Sequence, residues 1–352
     1  KNIYFAPAGE LYRLAVEYAP VDGEEIFSDR YNVYRLSSTR QLAVKTEEKS
    51  VGMRAVLYGG MRYDTSPSVI VADSRKYVRN GAVRSFEYVP ADSLVQRGTV
   101  AELPATKMEV DSIDRMMKSR RYDVDMFSDT IGTEASFKAL SGQRRNIIHV
   151  ATHGFYGENM AGGKTALLQF DNDVHYEEDK AMSRSGLLFA GAANAWQMPD
   201  SVDNGILTAQ EVSALDLRGL DLCVLSACET GLGKITGEGV FGLQRGFKKA
   251  GAETLLMSLR PVYDGATGLL MTEFYRNFLA GKSKTESLKA AQRYLRDYEV
   301  TVDPEISGEY SIADRISKSR SQARKAASAG SKTVKPYADP VYWAYFILVD
   351  AL

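Results

Sequence analysis

Two segments of this chain carry the residue types of a nucleophilic site. They are His149-Val150-Ala151-Thr152-His153-Gly154-Phe155 and Leu225-Ser226-Ala227-Cys228-Glu229-Thr230-Gly231-Leu232-Gly233. Each is an apolar, strand-like run that leads into a reactive side chain and then glycine. Sites in open parallel sheets form outside the carboxyl ends of the strands, so neighbouring strands ending here would set the His153 imidazole beside the Cys228 thiol. A free thiol has a pKa of about 8.5, so little thiolate exists at neutral pH. An adjacent imidazole takes the proton, or holds the thiolate as an ion pair, and later protonates a leaving amine. The backbone N–H groups of Gly154 and Cys228 are candidates to meet a developing oxyanion, and glycine lets the main chain approach closely. The small residues Ser226 and Ala227 leave space around the thiol.

The remaining cysteine and histidines read as ordinary. Cys223 lies within its strand between Leu222 and Val224, as a small buried hydrophobe does. His149 shares strand parity with His153 but fits a satisfied core or surface histidine. His175 sits in the acidic stretch 171–179 as an exposed loop residue. A metal on His149, His153 and Cys228 lacks a fourth ligand at useful spacing, so no metal and no cofactor is expected. Gly237-Glu238-Gly239-Val240-Phe241-Gly242 satisfies G-x-G-x-x-G but does not directly follow a strand, and it reads as a flexible glycine loop leading into a helix from Phe241. Gly231-Leu232-Gly233-Lys234-Ile235 lacks the Ser or Thr of a phosphate loop. No G-x-S-x-G elbow occurs.

The elements that must position these residues change character near residue 100. Before it the chain reads as β-rich: Asn2–Phe5, then Leu11–Tyr18 as part of a hairpin, Tyr31–Leu36, Gln41–Val44, and Ala55–Tyr58 closed by Gly59-Gly60. After it, helices starting at Thr106, at Glu134 behind a Thr133 cap, and over 241–250, 266–279 and 284–298 alternate with apolar strands at 146–151, 220–225, 254–258 and 342–349. That alternation predicts a mainly parallel sheet covered on both faces.

Of the 352 residues, 44% are hydrophobic and 25% charged, which supports a sizeable core. Lys+Arg number 44 against 45 Asp+Glu, a net charge of −1 that argues against nucleic acid or acidic membranes as partners. Two cysteines cannot build a disulfide framework, so a reducing, cytoplasmic setting is expected. No run is long enough to span a membrane, and no signal peptide opens the chain. The first residue is lysine rather than methionine, which reads as a fragment with more chain upstream. Residues 315–335 hold basic side chains at 315, 318, 320, 324, 325, 332 and 335 and no acidic one. They read as a flexible, solvated insertion, with a nucleic-acid arm as the minor alternative.

The H-V-A-T-H-G-F and L-S-A-C-E-T-G-L-G pair, in that order, resembles the CHAT family of caspase-like cysteine peptidases, which are often attached to TPR repeats. Leu187-Leu188-Phe189-Ala190-Gly191-Ala192, Asn204 to Glu211, Gly237 to Gly246, Gly251 to Leu259 and Asp339-Pro340-Val341-Tyr342-Trp343 fit the same family. The resemblance covers roughly residues 50–352. It implies a caspase-like three-layer α/β sandwich (51–352) with a mainly parallel central sheet flanked by helices, preceded by a β-rich N-terminal extension (1–50). It implies a cysteine endopeptidase with a His153–Cys228 dyad, oxyanion donors at Gly154 and Cys228, a protein substrate, and control by a TPR or sensor region upstream. The alternative is a silent caspase-like scaffold. In the family, the segment after the next strand shapes the substrate pocket; here Ser258, Arg260 and Asp264 fall in it. Many members carry Trp where Arg260 stands, which leaves the pocket's charge open. Asp264 suits a basic substrate and Arg260 an acidic one, with the basic option preferred. On that option the segment 315–335 is also a candidate self-cleavage site.

Overall fold

The computed structural model describes residues 1–23, 25–43, 52–77, 100–156, 182–198, 203–227, 230, 233–236, 239–302 and 332–352. Eight strands build the central sheet. They are β1 (Asn2–Phe5), β2 (Asn32–Arg35), β3 (Arg54–Met61), β4 (Asp123–Asp129), β5 (Ile147–Ala151), β6 (Leu222–Ser226), β7 (Thr254–Ser258) and β8 (Phe346–Val349). Their order is β1-β2-β8-β7-β6-β5-β3-β4. The run β7-β6-β5-β3-β4 is parallel throughout. Strand β8 is antiparallel to β7, and β2 and β1 follow the direction of β8.

Period-two alternation explains the layers. Val56, Tyr58, Ile148, Val150, Cys223, Leu225, Leu255 and Met257 face one apolar cluster. Ala55, Leu57, Ile147, Ala151, Leu222, Val224 and Leu256 face the other. Both faces are therefore buried, which is why these strands read as unbroken apolar runs. Helices α2 (Pro104–Ser119), α4 (Asp264–Phe278) and α5 (Lys284–Arg296) cover the second face with Ile113, Phe274 and Leu288. Helix α3 (Leu243–Ala250) covers the first with Leu243 and Phe247. Helix α1 (Pro67–Tyr77) buries Ile70 near the end of β3. The expected three-layer sandwich with a mainly parallel sheet is what forms.

Several local expectations change. Leu11–Tyr18 is not a strand but two 3₁₀ turns, Gly9–Arg13 and Val16–Tyr18. Its buried residues, Tyr12 and Glu17, have opposite parity, so no single strand face could bury both. The segment is organised by the buried Arg35–Glu17 pair at 2.7 Å and by Arg35 donating to the Leu14 carbonyl. Thr39–Ala43 is likewise a 3₁₀ turn. Phe241 belongs to a hairpin of Gly233–Thr236 with Gly239–Gly242, and α3 begins only at Leu243. Residues 157–181 and 303–331, with His175 and most of the basic segment, lie outside the described residues.

The glycine pair does not close β3, which continues to Met61. It seats a helix. A Cβ on Gly59 would lie 2.7 Å from the Thr106 carbonyl oxygen, and one on Gly60 (φ +64°) 2.6 Å from Lys107 Cβ. The Gly60 N–H donates to Thr106 Oγ1 at 2.9 Å. Only glycine permits this approach, and it fixes the start of α2 against the sheet.

A short helix, Glu134–Lys138, is capped by Thr133 Oγ1, which accepts from the Ser136 N–H at 3.1 Å. Its Lys138 ammonium lies 2.6 Å from Glu134, 2.7 Å from Asp203 and 2.9 Å from Glu211. One cation faces three carboxylates in a buried site. Burial pushes the Glu134 carboxyl up to about 8, with Lys138 opposing and Glu211 and Asp203 adding to the shift. The folded chain therefore holds a proton that the unfolded chain releases near 4.5. Stability contributed by that proton is complete below the unfolded value and is lost as pH rises through the folded one. Urea midpoints should fall by an amount worth a few kcal/mol between about pH 5 and about pH 9, and Glu134→Gln should flatten that slope.

Candidate active site

Strands β5 and β6 are in register from Leu222 opposite Ile147 to Ser226 opposite Ala151. The Thr152 N–H donates to the Ser226 carbonyl at 3.3 Å, so both chains leave the sheet at one level. His153 follows Ala151 by two residues, and Cys228 follows Ser226 by two. Cys228 and Glu229 lie outside the described residues, but both flanks are described. Ala227 is buried, and the buried Thr230 hydroxyl donates to its carbonyl at 3.4 Å. The same hydroxyl accepts from the Ser258 N–H at 3.1 Å. Thr230 thus ties the chain carrying Cys228 to the end of β7, a role that sequence reasoning missed.

His153 is half-buried and held on several sides. Its carbonyl accepts from the Leu188 N–H at 3.0 Å. Its ring lies 5.1 Å from the Tyr63 ring. Tyr63 donates to Thr152 Oγ1 at 2.9 Å, because that hydroxyl spends its own proton on the Leu188 carbonyl. Burial pushes the Tyr63 phenol up to about 12, so it remains a donor. His153 Nε2 lies 2.7 Å from the Ala101 carbonyl oxygen. A carbonyl only accepts, so Nε2 carries the proton and Nδ1 keeps the lone pair. The neutral ring thereby has one defined basic nitrogen. A backbone carbonyl has no side-chain signature, so nothing in the sequence marks Ala101.

Gly154 opens the strand Gly154–Tyr156, which pairs antiparallel with Ser185–Leu188, and that strand pairs with Ile206–Thr208. Gly154 stands opposite Leu187 while Leu188 donates to His153. Gly154 and Leu187 are therefore a non-hydrogen-bonded pair, and the Gly154 N–H points away from this ladder.

The three pocket candidates divide. Ser258 is fully buried; its hydroxyl donates to the Arg260 carbonyl and accepts from the Arg260 N–H at 3.2 Å. It shapes the turn after β7. Arg260 is exposed, and its guanidinium lies 5.3 Å over the Tyr345 ring. Asp264 is the first residue of α4. Although Asp264 is exposed, partial desolvation of its carboxyl raises it above the usual aspartate range, with His153 pulling it down and Glu109 adding to the rise. Asp264 is thus within electrostatic reach of His153.

Cys223 and His149 have structural roles. Cys223 is fully buried, and burial drives its thiol pKa far up, so it is inert. His149 is fully buried against Glu109 and Tyr275. Among the described residues no group of three or more His, Cys, Asp and Glu is arranged to hold a metal ion. No helix among them is long and apolar enough to cross a membrane.

A family model described as "CHAT domain" matches residues 1–351. The chain is similar to tetratricopeptide repeat protein 28 of Mus musculus, 35% identical over 92 residues, covering 26% of this chain. It is similar to the Homo sapiens protein of that name, 34% identical over 91 residues, again 26% of this chain. The chain spans about 4% of the length of these curated relatives. Among solved structures it is similar to the Arg-specific cysteine proteinase gingipain R, at 9% identity and a TM-score of 0.42, covering 78% of this chain and 52% of that one.

Proposed function

The chain belongs to the CHAT-domain family, and from that premise we propose that it is a cysteine endopeptidase using His153 and Cys228. The observation that carries this reading is the common level at which β5 and β6 end, with the His153 tautomer defined by the Ala101 carbonyl. Nδ1 of His153 takes the Cys228 proton, and the thiolate attacks the scissile carbonyl carbon. The oxyanion is met by the Gly154 N–H, which the adjacent ladder does not use, and by the Cys228 N–H. The imidazolium then protonates the departing amine, leaving a thioester on Cys228. Water, deprotonated by the same imidazole, releases the acid and restores the thiol.

Asp264 supports a substrate with Arg or Lys before the scissile bond. Its carboxylate lies within electrostatic reach of His153, whereas Arg260 is held over Tyr345. The relatives are named as tetratricopeptide repeat proteins, which supports control of the site by such repeats elsewhere in a longer polypeptide.

A positional peptide library tests the reading. The wild type should cleave basic substrates, and the Cys228→Ala protein should cleave none. Cleavage that persists in Cys228→Ala removes the mechanism, and a wild type that cleaves nothing and resists covalent thiol probes leaves a silent scaffold.

A further inference from the structure

Beneath the site, on the face covered by α2 and α4, three polar side chains are buried together. Glu109 of α2 is 4% exposed and His149 of β5 is 0% exposed. Glu109 Oε1 lies 2.9 Å from His149 Nε2, close but off the N–H axis. Tyr275 of α4, also fully buried, places its hydroxyl 3.3 Å from His149 Nδ1. Burial and the charge of Glu109 hold the Tyr275 phenol protonated. A carboxylate only accepts, so the His149 proton sits on Nε2, facing Glu109, and Nδ1 is left to accept from the Tyr275 hydroxyl. Polar groups in this setting are costly, and a core that only packed would place apolar residues here. Their neighbours are apolar: Val110 and Ile113 on α2, Leu270, Met271 and Phe274 on α4, and Ala151 and Val224 on the sheet.

Each of the three side chains sits on an element that supplies one group to the site. Strand β5 runs from His149 to its end at Ala151, two residues before His153. The chain entering α2 carries the Ala101 carbonyl that holds His153 Nε2. Helix α4 begins at Asp264, whose charge meets His153. Gly268 of α4 faces the Glu109 carboxylate, where a Cβ would lie 3.9 Å from Oε2, in ordinary contact.

We propose that Glu109, linked through His149 to Tyr275, is a positioning residue that holds β5, α2 and α4 in the relation that keeps the His153 ring against the Ala101 carbonyl. The proposal rests on the reading of His153 as the catalytic imidazole. Loss of the Glu109 charge lets α2 and β5 shift by fractions of an ångström, and the Nε2–carbonyl contact loosens first because it joins two separate segments.

The chain has only 3 histidines, so ¹⁵N-histidine labelling gives ring signals that can be assigned one by one. In the wild type, His153 should show a single Nε2–H tautomer. In Glu109→Gln it should show a mixture, with kcat reduced about tenfold and KM changed by less than about twofold. Tyr275→Phe removes one oxygen without a cavity and should have the same signature at about a third of the size. Glu109→Gln combined with His149→Gln replaces the carboxylate and the imidazole by two amides and should recover part of kcat. Ring signals and kcat that stay at wild-type values while the melting temperature falls would reduce the cluster to packing and overturn the proposal. If Glu109→Gln does not fold, Tyr275→Phe decides by the same signals. An inactive wild type whose His153 tautomer still shifts in Glu109→Gln would uphold the positioning and remove the peptidase reading.

Discussion

Cys228→Ala is expected to lower peptide cleavage by about 10⁴-fold or more, and His153→Ala by a similar factor, with the double variant no worse than either alone. The three should be alike because nucleophile and base act as one unit. Without Nδ1 of His153, the thiol keeps its ordinary pKa of about 8.5 and little thiolate exists at neutrality. Without the thiol, the imidazole has no proton to move. Fluorogenic peptide kinetics measure the loss, and alkylation separates the two parts. Iodoacetamide should label Cys228 rapidly in the wild type at about pH 6 and slowly in His153→Ala, with the rates converging at about pH 9.5, where every accessible thiol is ionised. Cys223→Ala makes the chain single-thiol for this purpose. Cys223 is buried in the sheet with its ionisation suppressed, so its loss should leave kcat unchanged. Cleavage that survives in either single dyad variant removes the mechanism.

The parts of this site that could be read from the sequence are those held by continuous apolar strands. Strands β5, β6 and β7 are buried on both faces and stand out as runs of Ile, Val and Leu, so the residues just past their ends could be located before any coordinates. Helices α2, α4 and α5 are visible by their apolar spacing. Strand β4 is not: its acidic residues face outward at the sheet edge, with Asp123 and Asp125 paired to Arg54 and Arg145. The groups that hold His153 and the segment carrying Cys228 were missed for a different reason. The Ala101 carbonyl belongs to the backbone, and Thr230 acts through one hydroxyl on a strand end distant in sequence. Glu109 did leave a trace. It falls on the stripe of buried positions 106, 109, 110, 113, 114 and 117 of α2, where a carboxylate interrupts an apolar face and calls for a buried partner. Gly59-Gly60 misled in the opposite sense, since a glycine pair that reads as a strand terminator serves as the seat for that helix.

The second large effect concerns Asp264. Asp264→Asn is expected to lower kcat/KM for substrates with Arg or Lys before the scissile bond by about 100-fold, since a substrate cation left facing a neutral amide loses its charge-assisted partner. Arg260→Ala should change the same constant by less than about threefold, because that guanidinium is already placed over Tyr345 and a surface cation–π contact is worth little. The comparison also distinguishes two ways in which Asp264 can act. It lies within electrostatic reach of His153, so its loss could weaken the base instead of a substrate contact. A pocket role penalises basic substrates selectively and acts mainly on KM, whereas an effect on the base lowers kcat for every peptide alike. The pH profile adds an independent reading. Partial desolvation lifts the Asp264 carboxyl above the ordinary aspartate value of 3.8, with His153 only partly opposing. Recognition requires the carboxylate, so the preference for basic over neutral substrates should fade as pH falls through that raised value, sooner than an unperturbed aspartate would allow. In Asp264→Asn the ratio of basic to neutral cleavage should be flat across the same range. A ratio that is flat in the wild type, or a uniform loss across all substrates in the variant, would assign Asp264 to the imidazole and leave substrate choice to other residues.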